Sequence, residues 1–524
     1  MKATVHKLRP TLPGPLEGES PLAFASRLGR LYGERMTDEH RKSHGHYLTP
    51  SQIARFMGEL CLDGHGPVVR LLDPAVGSGV LAAAACEALA RSPTRPRRIE
   101  LVAYEVDLGL RDMLEALFAH MRDWLAEHGI ELQARLELRD FVLANAGALE
   151  GGILPYEQAF DAVICNPPYF KLSKADPRAQ ACLTVVHGQP NVYGLFMALC
   201  AATLREGGRF VFITPRSYAS GPYFQRFRRW FFERIRPTEL HVFESRTDAF
   251  DDVLQETVIT AGYRENGWDA NDGLTVRLSV SGGASDIEKR DTRELPVTDV
   301  LRGGCAHRIL YLPATEAHDR VQERVAAWTG SLHAFGLEVS TGPVVAFRAK
   351  RFLRDKAGKR TVPLLWLQHI RSMSAAWPLN TRKLQHIEDS NASAYVMLPN
   401  KNYVVIRRFS AKEEARRLTA APLLANQFKG CKRVGLENHL NYIYRTGSRA
   451  LTIDETYGLA ALLNSELIDT YVRLSSGNTQ ISATELRALP LPELAIIKRI
   501  GKRVRAKGAD FEAVVAEELE HAGH

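Results

Sequence analysis

Short apolar runs ending in acids or glycines recur through the first half of the chain, separated by longer stretches of helical spacing. Val68-Val69-Arg70-Leu71-Leu72 reads as a buried strand, and Val80-Leu81-Ala82-Ala83-Ala84-Ala85 as the start of a helix. Further strands are expected over residues 99–107, 136–141, 160–165, 209–214 and 256–261. Residues 191–204 read as an amphipathic helix stopped by Gly207-Gly208. Ile53, Phe56, Met57 and Leu60 share one apolar face of another helix, with Thr49 as its N-cap and Pro50 at its first position. Phe224, Phe227 and Phe231 lie on a basic helix and are expected in the core. This alternation of strand and helix predicts an α/β domain with a mostly parallel sheet. Past residue 262 the pattern changes. Glu265-Asn266-Gly267 and Asn271-Asp272-Gly273 read as turns, Ser281-Gly282-Gly283 follows, and a domain boundary is expected there.

The strand ends offer two sites of candidate chemistry. Asp73-Pro74-Ala75-Val76-Gly77-Ser78-Gly79 joins a strand to a helix, and its glycines permit a tight turn with close backbone approach to a ligand. The spacing is neither the dinucleotide fingerprint nor a P-loop. The strand over residues 99–107 ends in Glu105, in the position suited to ribose hydroxyls in a doubly wound sheet. A third acidic strand end offers Asp140 to an adenine amino group and Phe141 to its face. The second site is Asn166-Pro167-Pro168-Tyr169, which closes the apolar run at residues 160–165. The two prolines fix the backbone, so the Asn166 side-chain oxygen and the Pro167 carbonyl are held as acceptors while Tyr169 supplies a ring to stack on a base. Such a pair of acceptors activates a planar exocyclic amine by accepting hydrogen bonds from its protons and freeing its lone pair.

Composition sets the outer bounds. The 524 residues are 45% hydrophobic and 24% charged, with room for two or three domains. The net charge of +8 permits a polyanionic partner. Basic residues with interleaved aromatics concentrate in the second half, and Arg348, Lys350, Arg351, Arg407, Arg408, Lys432 and Arg433 are the candidates for holding phosphates and reading bases. The seven cysteines include no Cys-x-x-Cys pair, so no zinc or disulfide framework, and no metal, is expected. The N-terminal stretch with Pro10, Pro13 and Pro15 has no apolar core for a signal peptide, and no uncharged run is long enough to cross a bilayer. A cytoplasmic location is expected.

With these motifs in this order, the chain resembles the S-adenosylmethionine-dependent N6-adenine DNA methyltransferases of the gamma motif order, the Taq type of bacterial restriction-modification enzymes. The resemblance runs from about His44 onward. It implies a Rossmann-like class I methyltransferase domain followed by a C-terminal α+β target-recognition domain. It assigns Asp73, Pro74, Ala75, Gly77 and Gly79 to the methionine portion of the cofactor, Glu105 to its ribose, and Asp140 and Phe141 to its adenine. His46-Tyr47-Leu48-Thr49-Pro50 looks like the family's N-terminal cofactor motif, with Thr49 at the carboxylate end. Asn166, Pro167, Pro168 and Tyr169 are implied to be catalytic, and Phe250, within Asp248-Ala249-Phe250-Asp251-Asp252-Val253, to pack on the other side of an extruded base. Ser475-Ser476-Gly477-Asn478-Thr479-Gln480 and Leu489-Pro490-Leu491-Pro492 resemble the closing segment of the family's specificity domains. The expected organisation is an extension at residues 1–40, a catalytic domain at 41–265, a connecting segment at 266–330, a recognition domain at 331–495 and a basic helical tail at 496–524. Double-stranded DNA is the implied partner, with a cognate restriction endonuclease as a functional one. A cytosine-N4 methyltransferase, an RNA or protein-glutamine methyltransferase, and a catalytically silent DNA-binding module remain as alternatives.

Overall fold

The apolar runs of the first half become strands because each has a partner run of matching length to pair with. A computed structural model describes residues 12–34, 49–61, 66–150, 159–186, 190–220, 222–243, 257–302, 308–312, 315–409, 416–475, 481–506 and 508–523. Its first unit, Met1–Ala314, contains strands β1 (Val68–Asp73), β2 (Arg98–Tyr104), β3 (Glu131–Glu137), β4 (Phe160–Cys165) and β5 (Leu204–Pro215). Strands β6 (Ile235–Phe243), β7 (Thr257–Arg264), β8 (Thr275–Ser281) and β9 (Asp291–Pro296) follow. All nine form one sheet in the order β3-β2-β1-β4-β5-β7-β6-β8-β9. Strands β1 to β5 pair in parallel, and β7 runs antiparallel between β5 and β6. The result is a Rossmann-like fold of the class I methyltransferase type.

Helices α1 (Pro21–Gly33), α2 (Ser51–Glu59), α3 (Val80–Arg91) and α4 (Arg111–Glu127) cover one part of the core with Leu22, Phe24, Ile53, Leu114 and Leu117. Helix α5 (Phe141–Asn145), α6 (Pro177–Ala181) and α7 (Val192–Thr203) belong to the other cluster, with Phe196, Phe210, Phe227 and Phe231. Phe227 and Phe231 are buried, as expected of core rings. Helix α7 departs from expectation. It is buried on every face rather than amphipathic, and it ends at Thr203, ahead of the two glycines. The Arg264 guanidinium supplies the stop by donating to the carbonyls of Ala201, Ala202 and Leu204, and Gly207-Gly208 fall within β5.

Residues 266–330, expected as a connector, contribute β8 and β9 to the sheet. Strand β8 pairs in parallel with β6, and β9 closes the edge with mostly exposed, charged positions such as Asp291 and Glu294.

Among its described residues the second unit, Thr315–His524, contains a two-stranded sheet, Ile370–Arg371 with Ser374–Ala375, and two larger ones. A four-stranded antiparallel sheet runs in the order Leu337–Thr341, Leu440–Arg445, Tyr403–Arg407 and Ala420–Leu423. A five-stranded mixed sheet is built around Thr361–Leu365 and Arg433–Leu436. Helix Ile453–Asn464 touches helix Leu494–Val504 backbone to backbone, and a Cβ on Gly458 would lie 1.9 Å from the Ile497 carbonyl oxygen. Residues 496–524, expected as a tail, therefore pack into this core through Ile496, Ile497, Ile500 and Leu519. No helix among the described residues is long and apolar enough to cross a membrane.

Candidate active site

Strand order dictates where a ligand fits. Strand β1 leads outward to β2 on one side while β4 leads to β5 on the other, so the loops leaving their carboxyl ends diverge and open a crevice. Leu72 is in register with Val163, which sets Asp73 beside the end of β4 and brings the glycine loop next to Asn166. The cavity there has a volume of about 1000 Å³.

The glycine loop is a folded object before any ligand enters. Val76 N–H donates to the Tyr104 carbonyl at 2.9 Å, and Gly79 N–H to the Val76 carbonyl at 2.7 Å. Gly79 sits at φ 83°, and a Cβ there would come within 2.2 Å of the Leu117 side chain, so any other residue is strained. Glu105 braces the same loop. Its Oε2 accepts from Gly77 N–H at 3.0 Å, and its Oε1 accepts from the Val106 and Asp107 N–H groups at 2.8 and 2.9 Å. Burial raises the Glu105 pKa against the lowering pull of these donors.

Asp73 is fully buried, and burial raises its carboxyl from 3.8 to about 8; the Ala75 and Ala82 N–H groups oppose the shift and Glu105 adds to it. Oδ1 accepts from Ala75 N–H at 3.4 Å, while Oδ2 has no hydrogen-bond partner among the described residues. A buried carboxyl oxygen without a protein partner is left over for a bound water or an ammonium group, and an arriving ammonium would favour its ionised form. Tyr104, Phe141 and Phe196 give the same cavity an apolar ring lining for a planar base. These features fit S-adenosylmethionine, which combines an amino acid, a ribose and an adenine.

Asn166 lines the same cavity. Its Nδ2 donates to Thr49 Oγ1 at 3.0 Å, and its Oδ1 accepts from the Tyr169 hydroxyl. The same hydroxyl proton is shared with the Ile213 carbonyl, 3.0 Å from Tyr169 Oη, and the ring meets Tyr193 edge-on. Thr49 is therefore not the cap of α2. Pro50 holds that position, the helix begins at Ser51, and the threonine hydroxyl is turned to Asn166 instead.

Of the residues expected from sequence, Thr49, Pro74, Ala75, Gly77, Glu105, Asp140, Phe141, Asn166 and Pro168 line this one cavity. Asp73 is buried beside it, Gly79 is spent on the turn, and Pro167 and Tyr169 lie outside its lining. Asp140 caps α5 by accepting from Leu143 N–H at 2.9 Å. Phe250, with the segment at 248–253, lies outside the described residues, as do His46, Tyr47, Leu48 and residues 476–480.

Sequence reading missed the wall given by α1. Arg30 and Tyr32 line the cavity, and Tyr32 Oη donates to Asp107 Oδ2 at 2.6 Å. The signal was present in the spacing of Leu22, Ala25 and Leu28 behind a Ser20 cap and Pro21. Arg178 was missed as well. It lies over the Phe170 ring and 3.8 Å from Asp140.

The basic candidates of the second unit divide into two kinds. Arg348, Lys350, Arg351 and Lys432 are exposed. Arg433 is paired with Asp389 at 2.5 Å, Arg407 Nε donates to the Ile370 carbonyl at 2.7 Å, and Arg408 donates to the Asn438 carbonyl at 3.3 Å.

The Eco57I restriction-modification methylase family matches residues 131–250. The type II methyltransferase M.BsuBI of Bacillus subtilis is 32% identical over 471 residues, 89% of this chain and 91% of the relative. The type II methyltransferase M.PstI of Providencia stuartii is 31% identical over 486 residues, 91% of this chain and 92% of the relative. A DrdV–DNA complex solved by cryo-electron microscopy aligns at 13% identity with a TM-score of 0.47, over 93% of this chain and 59% of that one.

Proposed function

The chain belongs to the type II restriction-modification methyltransferases, DNA methyltransferases that use S-adenosylmethionine, and from that premise we propose that it methylates adenine N6 within a short duplex sequence. Gamma motif order, rotation of the target adenine out of the helix, and protection of cytoplasmic host DNA from a cognate endonuclease are parts of the same reading. The bound cofactor supplies a methyl group already activated on a sulfonium.

The observation that carries the proposal is the fixed amide of Asn166 on the cavity formed by the glycine loop. With Nδ2 on Thr49, the amide presents Oδ1 to accept a hydrogen bond from an amino proton of the target base. The Pro167 carbonyl accepts a hydrogen bond from the second amino proton, and the two acceptors leave the nitrogen lone pair directed away from the ring. Tyr169, tethered through its hydroxyl to Asn166 and Ile213, offers a ring of defined orientation to the extruded base. Glu105 holds ribose hydroxyls, Asp73 Oδ2 accepts from the amino-acid portion, and Phe141 packs on the cofactor adenine. Residues 331–495 form the target-recognition region, and Arg348, Lys350, Arg351 and Lys432 meet phosphates.

Asn166→Ala tests the catalytic part. Transfer of a labelled methyl to DNA is expected to fall about a thousandfold, while S-adenosylhomocysteine binds as before. Unchanged turnover refutes the assignment. Nucleoside analysis of the product is expected to yield N6-methyladenine, and N4-methylcytosine in its place would overturn the choice of base.

A further inference from the structure

The second unit holds an open bowl of about 700 Å³ that none of the residues expected from sequence enters. Its rim carries Gln368, Arg371, Asn380, Thr381, Arg382 and Lys383. Arg371, Asn380, Arg382 and Lys383 are exposed, whereas nearby Arg354 and Arg433 are neutralised by Glu388 and Asp389. Among the described residues, no acid forms an ion pair with Arg371, Arg382 or Lys383.

Beneath the rim the bowl is rigidly built. Buried Gln385 accepts from Leu379 N–H at 2.8 Å, donates to the Leu379 carbonyl at 2.6 Å and bonds His369 Nε2 at 2.9 Å. Trp366 Nε1 donates to the Leu384 carbonyl at 2.7 Å, and Gln368 Nε2 to Thr381 Oγ1 at 3.0 Å. Arg371 belongs to a small hairpin, Ile370–Arg371 paired with Ser374–Ala375. Arg407 holds that hairpin at the Ile370 carbonyl, and Met373, at φ 58°, donates its N–H to the Ala420 carbonyl at 2.9 Å. A non-glycine residue in the left-handed region persists only where its surroundings impose it. The fold thus fixes the backbone of this rim and leaves its guanidinium and amide ends in solvent.

We propose that this bowl reads base edges of the DNA target in the major groove, with Arg371 and Arg382 on guanines and Asn380 on an adenine. The inference rests on the chain being a site-specific DNA methyltransferase. Guanidinium and amide groups are the donors and acceptors that pair bidentately with those two purines, and a fixed backbone gives them a register. Lys383 lies 4.9 Å over the Trp366 ring and meets a phosphate. Arg407, His369 and Gln385 are positioning residues.

The test is selection of bound duplexes from a randomised pool by the full chain saturated with S-adenosylhomocysteine. The wild type is expected to return one motif. Arg371→Ala and Arg382→Ala are each expected to lose the preference at one base pair by roughly 5- to 150-fold and keep the rest. Arg371→Lys preserves the charge and is expected to lose the same preference with an unchanged salt slope. If the variants return the wild-type motif, or weaken all duplexes equally with a shallower salt slope, the bowl does not read sequence and the proposal falls. Selection reads binding rather than transfer, so the result stands even if the modified atom is cytosine N4. Methyl transfer to the selected duplex tests that separate question. Thermal melting of each variant checks that these exposed substitutions leave the fold intact.

Discussion

The cavity of the first unit and the bowl of the second handle their charges in opposite ways. In the cavity, Glu105 accepts three backbone N–H groups and Asp140 caps a helix, so each acid is part of the wall before it meets a ligand. In the bowl, the bracing is done by neutral Gln385 and His369, and the cations at the rim are left to solvent. A cofactor of constant shape rewards a prewired pocket, because nothing needs reordering when it binds. A polymer whose sequence must be discriminated requires side-chain ends whose hydrogen bonds are made only with the right partner.

Breaking the prewired side is expected to have the largest effect. Glu105→Ala strands the N–H groups of Gly77, Val106 and Asp107, and an unsatisfied buried donor costs about 1–3 kcal/mol. Affinity for S-adenosylhomocysteine, measured by calorimetry, is therefore expected to fall about 100-fold or more, with duplex affinity little changed. A fall in duplex affinity of the same size would show that the two regions are not separable.

The next largest effect tests the solvent-facing cations. Removing Arg348, Lys350 and Arg351 together is expected to make the slope of log K against log salt shallower by about 2–3, across all sequences alike. Substituting Arg433 is expected instead to lower stability with little change in that slope, since its charge is spent on Asp389. Equal slopes for both variants would erase the distinction between paired and unpaired cations.

The last test concerns the buried carboxyl of Asp73. Its carboxyl is raised from 3.8 to about 8, so between those values the folded chain holds a proton that the unfolded chain has released. Stability from this group is present below pH 4 and declines as pH rises toward 8. Asp73→Asn cannot ionise, and its melting temperature is expected to gain on the wild type by a few degrees as pH is raised through that window. A difference independent of pH would mean that the buried carboxyl is not protonated in the folded chain.

Much of the cavity was legible because its parts are local. A strand end, a turn and a helix start occupy consecutive residues, so Asp73, Gly77, Gly79 and Asn166 announce themselves by type and spacing. What escaped notice depends on contacts distant in sequence. Thr49 reads as a cap, and only the fold reveals that its hydroxyl faces an amide 117 residues away. Tyr32 reaches Asp107 across 75 residues, and nothing near either residue marks the pair. The bowl was invisible for the same reason. Its rim is ordinary polar sequence until Gln385, Arg407 and Ala420 arrange it, whereas the conspicuous run at Arg348, Lys350 and Arg351 drew attention by charge density alone. Helix α7 misled for another reason, because an all-apolar segment lacks a polar face and its end is set by Arg264 from a strand far along the chain.

The two extra strands of the first unit bear on how the protein can be divided. Cutting after residue 265 removes β8 and leaves the outer amides and carbonyls of β6 open as a template for a neighbouring molecule. Strand β9 blunts that edge with alternating charges, so a soluble catalytic fragment has to extend at least through Pro296. The natural seam of this enzyme lies some fifty residues beyond the turn-rich stretch where its sequence seems to invite the scissors.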